Sequence, residues 1–198
     1  MPKTVEFLFD FGSPASYLAY KRLPELVART GAQIDYVPIL LGGVFKATGN
    51  ASPASVPAKG RWTSIDFRRW AERHGTAFSF NPYFPINTLL LMRGATGLIG
   101  DARFMAYCDL VFEAMWREPK NLGDLAELTP VVGRAGLEFD EFRDLIERED
   151  VKDRLKVTTE AAVARGVFGA PTFFVGEEMF FGQDRMDFVE EALELSPS

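Results

Sequence analysis

Along residues 4–11 the side chains of Val5, Phe7, Phe9 and Phe11 recur at every second position, with Leu8 on the opposite face. That alternation predicts a strand covered on both sides. Gly12 suits a sharp turn, and Ser13-Pro14 opens a helix expected over 14–30. A serine hydroxyl suits the N-cap, and proline lacks an N–H that the first helical position leaves unused. Leu18, Leu23, Leu26 and Val27 form the inward face of this helix, Gly31 ends it, and Pro24 is expected to kink it. Residues 33–40 read as a second strand, and a crossover of this length makes the two strands parallel and right-handed.

The next stretch, 42–60, is rich in Gly, Pro, Ala and Ser and contains Lys46, Asn50, Ser52, Pro53, Pro57 and Lys59. It is expected to be irregular and functional, since long loops inside compact domains usually carry function. From 63 to 165 the periodicity is helical, with helices expected at 64–74, 87–98, 101–117, 122–135, 140–148 and 150–165. Phe67, Trp70 and Ala71 mark the inward face of the first. The proline-bearing run 81–87 interrupts the pattern, either as a structured turn or as one wall of a pocket. Strands return at 172–175 and 179–181, joined by a turn at 176–178 and therefore antiparallel. Gly182, Gln183 and Asp184 then cap a helix over 185–195. The order βαβ, helical block, αββα predicts an α/β chain: a thioredoxin-like fold with an inserted all-helical domain. Residues 1–41 and 150–198 would form the thioredoxin-like part, and 42–149 the inserted loop and helices.

Composition narrows the chemistry mainly by what it lacks. The 198 residues are 47% hydrophobic and include 18 Phe, enough for a substantial core. With 22 basic against 28 acidic residues the net charge is −6, and no basic run suggests nucleic acid as a partner. No run of eighteen apolar residues suggests a membrane span. Lys3, Glu6 and Asp10 fall in a patterned strand rather than a secretion signal, so the expected compartment is the cytoplasm. Cys108 is the only cysteine, which excludes an intrachain disulfide and a Cys-x-x-Cys pair; within an apolar helix it reads as a buried inert thiol. His74 is the only histidine, so neither a Ser-His-Asp triad nor a multi-histidine metal site is available. No metal is expected, and His74 itself reads as a charge at a helix C-terminus.

Ser13 admits two readings, a simple helix cap or a hydroxyl beside unpaired N–H groups where an anion such as a thiolate is stabilised. In a thioredoxin fold this helix start faces the loop before the third strand, here Ala170-Pro171, whose proline is commonly cis. A cis bond would leave the Ala170 N–H and C=O free to pair with an extended peptide.

Residues 9–19 (Phe-Asp-Phe-Gly-Ser-Pro-Ala-Ser-Tyr-Leu-Ala), 166–173 (Gly-Val-Phe-Gly-Ala-Pro-Thr-Phe) and 181–186 (Phe-Gly-Gln-Asp-Arg-Met) together resemble the signatures of the 2-hydroxychromene-2-carboxylate isomerases. These are relatives of the kappa-class glutathione transferases within the disulfide-oxidoreductase group. The resemblance spans essentially the whole chain. Where the oxidoreductases carry Cys-x-x-Cys, this chain has Ser13-Pro14-Ala15-Ser16, so it would borrow its thiol from glutathione. The resemblance implies that Ser13 hydrogen-bonds the glutathione sulfur as the catalytic group and that Ala170, beside Pro171, pairs with the cysteinyl backbone. Gly182, Gln183 and Asp184 would receive the γ-glutamyl end, although kappa transferases often have serine at the place of Gln183. Lys59 would meet the glycyl carboxylate. For a small aromatic keto acid or chromene carboxylate as second substrate it suggests Lys46, with Asn50, Trp62, Tyr83 and Asn87 as further wall. The implied reaction is reversible thiolate addition, bond rotation and elimination. A kappa-type transferase or peroxidase, or a non-catalytic peptide-binding module, are the alternatives. Relatives commonly form homodimers, and the helical block offers apolar surface for one.

Overall fold

In a computed structural model, which describes residues 3–195, four strands form one sheet with helices packed on both faces. The central strand β1 (Thr4–Phe9) pairs in parallel with β2 (Gln33–Pro38) and antiparallel with β3 (Thr172–Val175). β3 pairs antiparallel with β4 (Glu178–Phe181), giving the order β2-β1-β3-β4 of a thioredoxin-like sheet. The alternation in β1 explains its central place. Val5, Phe7 and Phe9 enter the larger core, whereas Leu8 joins Phe174 in a second cluster on the opposite face. β2 ends at Pro38 rather than 40: Ile39 N–H still donates to Phe9 O (3.1 Å), but Leu40 N–H turns to Thr159 Oγ1 (3.0 Å).

Helix α1 (Pro14–Thr30) follows the predicted bounds, runs on through Pro24 and stops at Gly31. Its sequel corrects the expectation of an irregular stretch over 42–60. Leu41–Thr48 is helix α2, Pro53–Ser55 is a 3-10 turn, and helix α3 spans Pro57–Arg73. Two glycines weaken the helical signal in α2, yet Val44 is fully buried in the second cluster and anchors it. Pro53 and Pro57 each occupy the opening of a helical segment, where proline is favoured.

The helical block continues as α4 (Leu89–Leu98), α5 (Phe104–Trp116), α6 (Leu125–Arg134) and α7 (Phe139–Glu147), then α8 (Glu149–Ala164). After the β3–β4 hairpin and a 3-10 turn at Gln183–Arg185, α9 (Met186–Leu195) completes the described chain. No helix among the described residues is long and apolar enough to cross a membrane. One apolar cluster joins the sheet to the helical block, with Phe11 and Phe112 ring centroids 4.7 Å apart and edge to face. Burying each such ring is worth about 1.5–3 kcal/mol. Trp116 Nε1–H donates to Phe11 O (2.7 Å), so α5 holds the chain just before Gly12 and Ser13. His74, expected as a helix charge, caps α3 with its ring stacked on Trp70. Burial, with Arg22 nearby, lowers its pKa below the usual value, so it is neutral at neutral pH.

Cys108 is fully buried within α5, and burial, reinforced by Asp109, pushes its thiol pKa well up. Such a thiol is inert. Cys108→Ser should therefore retain turnover in the isomerase assay proposed below; complete inactivation with an unchanged circular-dichroism spectrum would contradict the assignment.

Candidate active site

The turn between β1 and α1 is built by short-range hydrogen bonds. Ser13 N–H donates to Asp10 O (3.0 Å), Ser16 N–H to Ser13 Oγ (3.1 Å) and Tyr17 N–H to Ser13 O (3.2 Å). Pro14 has no N–H, so the Ala15 amide is the first-turn donor left without an intrahelical acceptor. Ser13 is 3% exposed, and its hydroxyl donates to Ala170 O at 2.8 Å, across 157 residues of chain. The Ala170–Pro171 and Phe84–Pro85 bonds are both cis. Ala170 N–H has no hydrogen-bond partner among the described residues.

Beneath this contact lies a group that the sequence reading did not assign to the site. Asp10 is 1% exposed, and its Oδ1 accepts Gly12 N–H while Oδ2 accepts Leu41 N–H, both at 2.8 Å. Thr88 adds a side-chain hydrogen bond. Leu40, the N-cap residue of α2, supplies no side-chain cap, so Asp10 caps α2 from another element. Burial raises its pKa above the usual carboxyl value, against the lowering effect of these three hydrogen bonds. The signal in the sequence is the acid itself, set between Phe9 and Phe11, because a carboxyl carried into a core must find donors. Gly12 sits in a tight place: a Cβ would come within 3.1 Å of Thr88 Cγ2 and 3.3 Å of Asp10 Oδ1, so these side chains would have to give by a few tenths of an ångström. At Gly169 a Cβ would lie 2.7 Å from the Phe181 ring, which would have to move aside.

Asp10, Gly12, Ser13, Ala15 and Ala170 border a cleft of about 790 Å³, a volume suited to a small ligand. Its aromatic walls are Phe45 of α2, Phe67 of α3, Phe80 and Phe84 of the following loop, and Phe168 and Phe181 beside β3. Asn50 and Lys59 also line it; Asn50 Nδ2–H donates to Phe168 O (2.8 Å), and the Phe168 and Phe181 ring centroids are 4.5 Å apart. The structure thus brings Ser13, Asn50, Lys59 and Ala170 together. Gly182 N–H donates to Pro171 O (3.0 Å), which sets 182–184 next to the cis-proline loop but outside the cleft wall. Gln183 is 4% exposed and its carbonyl accepts from Arg22 (3.1 Å), while Asp184 pairs with Arg185 (2.6 Å). Other expected residues do not line this cleft. Lys46 borders a separate hollow, and Trp62 and Tyr83 are 60% and 55% exposed. Asn87 Oδ1 accepts Leu89 N–H (3.0 Å) at the start of α4.

The model of the DSBA-like thioredoxin domain matches residues 4–194. The 2-hydroxychromene-2-carboxylate isomerase of Pseudomonas sp. (strain C18) is 36% identical over 199 residues, covering 98% of this chain and 91% of that protein. The chain belongs to the 2-hydroxychromene-2-carboxylate isomerase family. A solved 2-hydroxychromene-2-carboxylate isomerase superposes on this isomerase-family chain with a TM-score of 0.86 at 34% identity, covering 96% of this chain and 94% of the other. Human glutathione S-transferase kappa 1 is more distant, 27% identical over 98% of this chain and 92% of that protein. As a member of the isomerase family, the chain is an enzyme, and the cleft at Ser13 is its candidate active site.

The raised pKa of Asp10 has a definite sign in stability. The folded carboxyl holds its proton to higher pH than the unfolded one, so its contribution declines as pH rises from about 4 towards the folded value. The unfolding free energy of the parent minus that of Asp10→Asn should therefore fall across that window in urea titrations. A difference that rises with pH would contradict the assignment.

Proposed function

We propose that this chain is a glutathione-dependent isomerase interconverting 2-hydroxychromene-2-carboxylate and trans-o-hydroxybenzylidenepyruvate, or a close aromatic analogue. The observation that carries the reading is the contact between the Ser13 hydroxyl and Ala170 O at the head of α1, on the wall of an aromatic cleft. The residues present suit a tripeptide thiol. Ala170 has an open N–H, its carbonyl and the Ser13 hydroxyl satisfy one another and can each turn to a ligand, Ala15 offers a helix-terminal amide, and Lys59 supplies a cation.

Glutathione, when bound, supplies a sulfur nucleophile for reversible conjugate addition to an unsaturated α-keto acid, which lets the former double bond rotate before the thiol is returned. Ser13 turns its O–H from Ala170 towards the sulfur and acts as a donor to negative charge. Its Oγ already accepts the Ser16 N–H, and the N-terminus of α1 favours an anion by about 0.3–1 kcal/mol or more. The released Ala170 carbonyl and the open N–H hold the cysteinyl backbone, and Lys59 holds the glycyl carboxylate. Gly182, Gln183 and Asp184 receive the γ-glutamyl end beyond Pro171. Phe45, Phe84 and Phe168, with Asn50, orient the aromatic substrate and exclude water. This assignment leaves Lys46, Trp62, Tyr83 and Asn87 outside the substrate wall.

The likeness to a kappa glutathione S-transferase favours one competing reading, in which glutathione is consumed. Quantifying reduced glutathione during turnover of 2-hydroxychromene-2-carboxylate separates the two: the amount should stay constant while the rate depends on its presence. Stoichiometric loss of thiol, or full activity without it, would reject the isomerase mechanism. Ser13→Ala should lower kcat roughly 100-fold or more, as loss of a charge-stabilising donor does. Glutathione affinity, measured by calorimetry, should change much less. Equal rates for variant and parent would remove Ser13 from the mechanism.

A further inference from the structure

Helix α2 is a wall shared by two cavities. Its Leu41, Gly42 and Phe45 border the Ser13 cleft, while its Gly43, Lys46 and Ala47, with the N-cap residue Leu40, border a second hollow of about 630 Å³ between α2, α4 and α8. That hollow is also within the size range of small-ligand sites. Leu89, Leu155 and Val163 give it apolar walls.

Several cations gather around it. Three elements each bring cations to it: Lys46 from α2, Arg93 from α4, and Lys152 and Lys156 from α8. They outnumber the two acids that also line it, Asp153 and Glu160. Arg93 and Lys152 are held by Glu147 at 3.7 and 2.8 Å, and Lys152 also meets Glu149 at 3.0 Å. Lys46 and Lys156 make no ion pair among the described residues. Lys156 lies one helical turn from Lys152 on α8. An apolar floor with two unpaired lysines, Lys46 and Lys156, at its rim matches a molecule with an apolar body and one acidic group.

We propose that this hollow is a second ligand site, separate from the Ser13 cleft, which takes a small organic anion with an apolar body, an aromatic carboxylate or sulfonate. The inference stands whether or not the Ser13 cleft uses glutathione.

The test is a fluorescence titration of the full chain with 1-anilinonaphthalene-8-sulfonate, repeated with uncharged N-phenyl-1-naphthylamine. Lys156→Glu reverses an exposed charge, and Ala47→Trp fills the hollow from an exposed position. Each should weaken binding of the sulfonate by about tenfold, the scale of a lost charged contact. Ser55→Trp, which obstructs the other cleft, should leave this site's affinity unchanged. The uncharged probe should bind at least tenfold more weakly than the sulfonate, and benzoate should displace the sulfonate. Parent-like affinity in both Lys156→Glu and Ala47→Trp would overturn the proposal. So would loss of binding in Ser55→Trp alone, or sedimentation showing that self-association of the chain competes with the probe. Circular dichroism of each variant confirms that a loss of binding is not a loss of fold.

Discussion

The hydrogen bond from Ser13 to Ala170 joins two segments that are far apart in the chain, and the rest of the fold is arranged to make it. Ser13 stands at the end of the central strand and Ala170 just before the strand beside it, so the sheet order alone brings them near. The finer placement comes from above and below. Trp116 fixes the carbonyl of Phe11 from α5, and the three main-chain and side-chain bonds around Ser13 close the turn. Neither the Ser13 hydroxyl nor the Ala170 carbonyl is left unsatisfied in this arrangement, which matters because both are largely buried.

Asp10 performs the second organising task. One carboxyl joins the turn before α1 to the start of α2 and reaches Thr88 before α4, so the segments that border the cleft are referred to a single buried group. A side chain in this position is costly unless its hydrogen bonds are complete. The open amides at Ala15 and Ala170 lie at the head of α1 and on the loop that faces it.

Much of this is legible in the sequence itself. Period-two phenylalanines marked β1, Ser13-Pro14 marked the start of α1, and the order of elements implied the sheet topology, because these features depend on local stereochemistry and burial. The 42–60 stretch misled because Gly42, Gly43 and Gly49 mask a helix whose stability comes from Val44 packing and from a cap supplied by Asp10, thirty-one residues earlier. The same non-local origin hid Asp10, Phe45 and Phe168 as cleft residues. Conversely, Trp62 and Tyr83 have the chemistry of an aromatic wall, yet periodicity does not separate a cleft from solvent, and both are exposed.

A small fold of this kind can host a reactive sulfur without owning one, provided that the head of α1 makes ionisation easier. The direct test is an ultraviolet absorbance titration of the glutathione thiol bound to the parent and to Ser13→Ala. The account predicts an apparent thiol pKa below that of free glutathione in the parent complex, moving back towards the free value in the variant. The same pKa in both complexes, or no lowering in the parent, would contradict it.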